Sequence, residues 1–214
     1  SRAAASDAVA PDARPAAEVW SSADRVVYLV TALSGLTGLA AEVVWTRLLS
    51  LLFGGTTYTF SLILAAFLIG LAVGSGIGSV LAGVLARPRV ALGWCQALLV
   101  ATLAWSAYML TASLPYWPID PSLSTSLGFN FQLDFARCLW TALPATLLWG
   151  ASFPLAVAAL TAPGRDQARM IGALYAAHTV GALLGSLGAR FVLVAWSGSH
   201  GAQRVQRQPH ARNR

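Results

Sequence analysis

Long apolar runs separated by short polar segments dominate the chain. Four intervals contain no charged residue, and they run between Arg47 and Arg87, Arg89 and Asp120, Arg137 and Arg165, and Arg169 and Arg190. Each interval can hold the roughly 20 apolar residues that a membrane-spanning helix needs. The pattern predicts five spans, at about 26–46, 57–82, 90–112, 136–160 and 170–194.

The segments outside these spans have a different composition. Residues 1–24 are rich in Ala, Pro, Ser and Asp without apolar periodicity, which is typical of a disordered lead-in. Residues 113–135 contain three prolines, which oppose a helix. Residues 197–214 are rich in Gln, Arg and His and are expected to form a basic, disordered tail. The predicted organisation is therefore a lead-in at 1–24, a transmembrane helical domain at 25–196 and a tail at 197–214.

Composition supports a membrane environment. Only 10% of residues are charged and 57% are hydrophobic, whereas soluble domains carry about 25% charged residues. The sequence pI is near 10.2, but the arginines are scattered over helix ends and the tail, which argues against a nucleic-acid partner. The predicted fold class is an all-α, polytopic transmembrane helix bundle of about five spans whose partner is the lipid bilayer.

The distribution of arginines bears on orientation. The side on which the chain begins holds seven of them: Arg2, Arg14, Arg25, Arg87, Arg89, Arg165 and Arg169. The opposite side holds three, namely Arg47, Arg137 and Arg190. The positive-inside rule then places the N-terminus in the cytoplasm. With five spans, however, the tail adds four arginines to the opposite side and the counts become equal.

Glycines recur at helical spacing in two places. Gly70, Gly74 and Gly78 follow one another every four residues, and Gly181 and Gly185 form a second pair. Small residues at this spacing let helices approach closely in membranes, so we expect both sets to lie at helix contacts. A nucleotide loop at "GSGIG" is disfavoured, because no acidic residue follows about 20 positions later.

A few ionisable residues lie within or beside the apolar runs. Glu42 and Arg47 are separated by about 140° on a helix and cannot form a local pair. With Asp134, Arg137 and Arg190 they are expected to lie near one membrane face. One hypothesis is an interhelical charged cluster in which Glu42 faces an arginine of another helix. The alternative is that these side chains extend to the interface and fix helix ends.

His178 is a separate candidate, because it is expected near the membrane midplane. It could act as a proton relay or a substrate contact. Alternatively, it is a neutral imidazole bonded to a neighbouring helix.

Three blocks of sequence carry a family resemblance. The stretch "GLTGLAAEVVWTRLLSLLFGGTTYTFSLILAAFLIGLAVGSGIGS", and above all its motif at Glu42–Leu49, resembles the opening of the membrane-embedded spermidine-synthase-like proteins. "LLWGASFPLAV" at 147–157 and "MIGALYAAHTVGALLGS" at 170–186 resemble two later blocks. The family is described as a fusion of a major-facilitator-like membrane part with a spermidine synthase.

The resemblance implies a major-facilitator-like half in the bacterial cytoplasmic membrane. In the family, a soluble domain follows that transfers an aminopropyl group from decarboxylated S-adenosylmethionine to putrescine. This chain departs from that pattern, because no strand–glycine-loop–helix unit is evident and the similarity stops near Trp196, where a sixth span is expected. His178 also stands where the family motif has Asn. A sixth span would explain the equal arginine counts.

Three functions follow as expectations. The chain is interpreted as a membrane domain of a spermidine-synthase-like protein that lacks the catalytic domain, with no catalytic residue, metal ligand or cofactor of its own. A truncated reading frame, a frameshift and an artificial cut all agree with this interpretation. The alternatives are a small-molecule or polyamine transporter-like module, and a membrane anchor for a soluble aminopropyltransferase-like partner. Homo-oligomers are compatible with each of these functions.

Overall fold

The computed structural model describes residues 21–117, 126–163 and 165–206, with the backbone alone for Leu127 and residues 196–206. Five long α-helices make up this part of the chain: α1 Ser22–Phe53, α2 Thr57–Val84, α3 Pro88–Tyr108, α4 Leu127–Leu160 and α5 Gln167–Gln206. A π-helical turn, Met109–Ser113, and a 3-10 turn, Leu114–Tyr116, extend α3. No strand occurs in these residues, so the predicted all-α fold is confirmed.

All five helices are long and apolar enough to cross a membrane. In the most apolar window of α1, α2, α3 and α5, only 22% to 33% of the residues are buried, against 56% in α4. The outward surface is therefore largely apolar, as a lipid-facing surface requires. The chain is a polytopic helix bundle with α4 at its centre.

Successive helices run in opposite directions. We call the end where α1, α3 and α5 begin the first end of the bundle, and the opposite end the second end. Helix α4 packs on α2 and α3 and more lightly on α1, whereas α5 packs almost entirely on α1. The bundle thus consists of a central group, α2–α3–α4, and a pair, α1–α5, joined mainly through the α1–α4 contact.

Glycines form the closest helix contacts. Gly70, Gly74 and Gly78 of α2 lie against Thr146, Leu147 and Ala151 of α4, and a Cβ atom at Gly78 would lie 2.6 Å from the Cα atom of Ala151. Gly181 and Gly185 of α5 lie against the backbone of α1 at Ala32 and Leu36. Both sets of glycines singled out from the sequence therefore occupy interhelical contacts.

Three helix boundaries differ from the sequence-based expectation. Helix α1 begins at Ser22 and includes Asp24, which was assigned to the lead-in, because Ser21 and Asp24 form a capping box at its start. Helix α4 begins at Leu127 rather than near 136, with the Ser126 side chain accepting from the Phe129 amide. Helix α5 continues to Gln206, into the segment assigned to the tail. The disorder expected for residues 1–20 and 207–214 lies outside the described residues.

Candidate functional site

An open groove of about 880 Å³ collects three of the ionisable residues singled out from the sequence. Glu42 and Arg47 of α1 and Arg190 of α5 line it toward the second end of the bundle. We call it the charged groove. Thr46, Ser50 and Thr56 supply hydroxyl groups to its wall, and Leu39, Val43, Phe60, Leu193 and Val194 supply apolar surface.

The groove follows one face of α1. Its lining positions on this helix recur at intervals of three and four, which is the spacing of a single helical face. Glu42 and Arg47 stand on opposite edges of this face, since five residues correspond to about 140° of rotation. The two side chains therefore flank the groove, and they form no ion pair with each other or with another described residue.

The α1–α5 contact determines the depth of Arg190. Because Gly181 lies against Ala32 and Gly185 against Leu36, the two parallel helices run in a register that brings Arg190 within a turn of the level of Glu42. Arg47 lies nearer the helix end, about 7 Å beyond Glu42 along α1. Glu42 is half-buried, whereas both arginines are exposed.

Asp134 and Arg137 form a separate group on α4. An ion pair of 3.6 Å joins the Arg137 guanidinium to the Asp134 carboxylate. Arg137 is buried, and its guanidinium carbon lies 6.0 Å from the Phe53 ring centroid and 5.9 Å from that of Trp117. The five charges expected at one face thus divide into the charged groove and an Asp134–Arg137 pair whose guanidinium lies beside two aromatic rings.

His178 lies outside the charged groove. It is half-buried on α5, and its imidazole meets the ring of Phe153 on α4 edge to face, with centroids 6.0 Å apart. Its imidazole makes no hydrogen bond to another side chain or backbone group of the described residues. Its backbone carbonyl packs against Gly35 of α1. The residue therefore occupies the seam where α1, α4 and α5 meet.

Sequence reasoning missed an ion-pair cluster at the first end. Asp24 is only 1% exposed, yet its carboxylate accepts from Arg165 at 2.6 Å and from Arg89 at 2.8 Å. The Arg89 Nε also donates to the Ala159 carbonyl at 3.0 Å. We call these residues the Asp24 cluster. It joins α1, the start of α3, the end of α4 and the link before α5.

One signal for this cluster was available in the sequence. Ser21 and Asp24 have the spacing of a helix N-cap and its third following residue, which predicts a helix start there. The partners could not be read locally, because they lie 65 and 141 positions away along the chain.

The described residues offer no metal site. No group of three or more His, Cys, Asp or Glu side chains in residues 21–117, 126–163 and 165–206 could hold a metal ion. Cys95 and Cys138 are both buried, free thiols.

Comparisons with protein-family models, with curated proteins and with solved structures found no match.

Proposed function

We propose that the chain is the membrane-embedded module of a spermidine-synthase-like protein, and that it performs no aminopropyl transfer by itself. The observation that carries the proposal is the mutual packing of the three blocks that resemble this family. Trp45 of the first block and Trp149 of the second have ring centroids 5.7 Å apart. Trp149 Nε1 also donates to the Thr37 hydroxyl of the first block at 3.2 Å.

The third block completes this contact. The imidazole of His178 contacts the ring of Phe153 in the second block, and the His178 backbone packs on Gly35 in the first block. Segments far apart in the sequence thus form one continuous interface between α1, α4 and α5. Such an interface supports the interpretation that the three blocks belong to one structural unit, as the family resemblance implies.

The positions of the described acids support a non-catalytic role. A putrescine site would need carboxylates that face one another, because the substrate carries two positive charges. Asp24, Glu42, Asp134 and Asp166 instead lie in four different places. Asp24 and Asp134 are already paired with arginines, and Asp166 caps the start of α5.

The direct test is an aminopropyltransferase assay on the purified chain in detergent. Putrescine and decarboxylated S-adenosylmethionine should give no spermidine, while a soluble spermidine synthase in the same detergent serves as the positive control. Product formed in proportion to the concentration of the chain would refute the proposal. Capture of the soluble enzyme by the chain in proteoliposomes would favour the anchor role.

The charged groove bears on the alternative of a polyamine transporter. Its described lining has two guanidinium groups and one carboxylate, so its charge is +1 and opposes the approach of a polycation. Uptake of spermidine into proteoliposomes that contain the chain would establish this alternative despite the unfavourable charge.

A further inference from the structure

We propose that the charged groove binds an anionic phospholipid, with Arg47 and Arg190 around its phosphate and the apolar wall against the start of its acyl chains. The inference uses only the groove and the membrane-spanning fold, so it stands independently of the proposed function.

The net charge of the groove indicates a ligand with a single negative charge. Two arginines and one glutamate face the same space, and none of them forms an ion pair with a described residue. An unpaired charge near the hydrocarbon region is unfavourable, so a counter-charge is expected there. A phosphodiester with a single negative charge brings the sum to zero, whereas a zwitterionic lipid leaves it at +1.

The groove lies at about the depth in the membrane at which lipid phosphates are found. Helix α1 has 32 residues and is therefore about 48 Å long, longer than the roughly 30 Å hydrocarbon core. Arg47 lies about 9 Å from the end of α1, which places it near the boundary of the core if the helix is centred. The backbone of Arg190 lies deeper in the membrane than that of Arg47, and the long Arg190 side chain can extend toward the level of Arg47.

The wall of the groove provides both kinds of contact that a phospholipid needs. Thr46, Ser50 and Thr56 carry hydroxyl groups that can donate to phosphate oxygens. Leu39, Val43 and Leu193 form apolar surface on α1 and α5. A volume of about 880 Å³ holds a headgroup together with the first carbons of its chains.

Glu42 gives the site its selectivity. Glu42 lies within a turn of the level of Arg190 along the helices, so its carboxylate offsets one of the two positive charges of the groove. We therefore expect Glu42 to weaken the binding of every anion and to disfavour multiply charged phosphates most. Removal of the Glu42 charge should therefore strengthen anion binding, whereas removal of either arginine charge should weaken it.

The experiment measures lipid binding to the purified full chain by native mass spectrometry, with dioleoylphosphatidylglycerol and dioleoylphosphatidylcholine as probes. The first phosphatidylglycerol should bind at least about fivefold more tightly than phosphatidylcholine. R47Q and R190Q should each weaken that binding about fivefold, the factor that one basic residue contributes at an anionic membrane surface. E42Q should strengthen it, a direction that misfolding cannot imitate.

The matched control is R87Q, which removes an exposed arginine at the first end of the bundle. This variant should bind phosphatidylglycerol like the unaltered chain. Equal binding of the two lipids, an R87Q effect as large as that of R190Q, or weaker binding by E42Q would each overturn the proposal. Displacement of the lipid by an equal concentration of glycerol 3-phosphate would also overturn it, because the ligand would then be a soluble phosphate ester.

Discussion

Among single residues, Asp24 shows how this bundle accommodates a buried charge. Its carboxylate is almost inaccessible, yet each of its oxygens accepts from a different arginine and one of them also accepts from the Ser21 amide. A buried carboxylate is stable only when such partners satisfy it. Because Arg89 and Arg165 come from distant segments, one side chain positions three helix ends.

We expect D24N to loosen the first end of the bundle. The amide retains the size of the side chain but loses both ion pairs, and charge-assisted hydrogen bonds contribute about 1.5–3 kcal/mol each to stability when buried. Arg89 and Arg165 remain partly exposed, at 49% and 27%, and can turn to solvent. We therefore expect D24N to lower the free energy of unfolding by about 2 kcal/mol in total.

Thermal unfolding in detergent measures this loss, with R87Q as the control that removes a charge from the same end without breaking a described ion pair. An unfolding temperature of D24N equal to that of R87Q would show that the Asp24 cluster contributes nothing to stability.

The side-chain pairings were only partly predictable from the sequence. The absence of a local Glu42–Arg47 pair followed from their spacing, and the Asp134–Arg137 pair has the i, i+3 spacing of helical neighbours. The Asp24 cluster could not be predicted, since Asp24 lies at the edge of a segment whose composition favours disorder and its partners are far away along the chain.

At the scale of helices, the distance between α2 and α4 depends on glycine. The three glycines of α2 face backbone or Cβ atoms of α4 so closely that any side chain would collide. Gly76 of the same helix has nothing within 4 Å of its missing Cβ atom. One helix therefore contains both a close-contact face and a free face.

This difference allows a matched pair of variants. G78A places a methyl group against the Ala151 backbone and should lower stability by about 1–3 kcal/mol, the usual range for overpacking. G76A should raise it slightly, since alanine is favoured over glycine in helices by about 1 kcal/mol. Size-exclusion profiles and unfolding temperatures in detergent report both effects. Equal stability of the two variants would contradict the close packing of Gly78 against the Ala151 backbone.

The ends of the helices were predicted less well than their centres. Uninterrupted apolar runs locate the spans, so the predicted fourth span begins at about 136, after Asp134 and one residue before Arg137. The described α4 has 34 residues and α5 has 40, far more than the roughly 20 that cross the hydrocarbon core. Helical hydrogen bonding continues through polar residues once a cap starts it, as Ser126 does for α4.

At the scale of the whole molecule, the sequence predicted the number, order and alternation of the long apolar helices in the described residues, but not which helices pair. Nearly every helix is apolar on all sides, so hydrophobicity alone does not distinguish a face that packs from a face that meets lipid. The spacing of the glycines predicted that α2 and α5 each have a closely packed face. It did not predict which helices pack against those faces.

The orientation of the bundle is a prediction at this scale. Five described arginines lie at the first end, namely Arg25, Arg87, Arg89, Arg165 and Arg169, against Arg47, Arg137, Arg190 and Arg204 toward the second end. From this excess of one, the positive-inside rule predicts that the first end faces the cytoplasm. In a chain with Cys95 and Cys138 replaced by alanine, G55C should react with a membrane-impermeant maleimide in intact spheroplasts. R87C should react only after permeabilisation. The reverse labelling pattern would show that the first end faces outward.

The pairing of α5 with α1 has a consequence for biosynthesis. Because α5 is the last of the five to leave the ribosome, the surface of α1 at Ala32, Gly35 and Leu36 has no α5 to cover it while α2, α3 and α4 are inserted. During that interval the surface must meet lipid, the translocon or a membrane chaperone. Nascent chains arrested before α5 should accordingly be the form that membrane proteases degrade fastest.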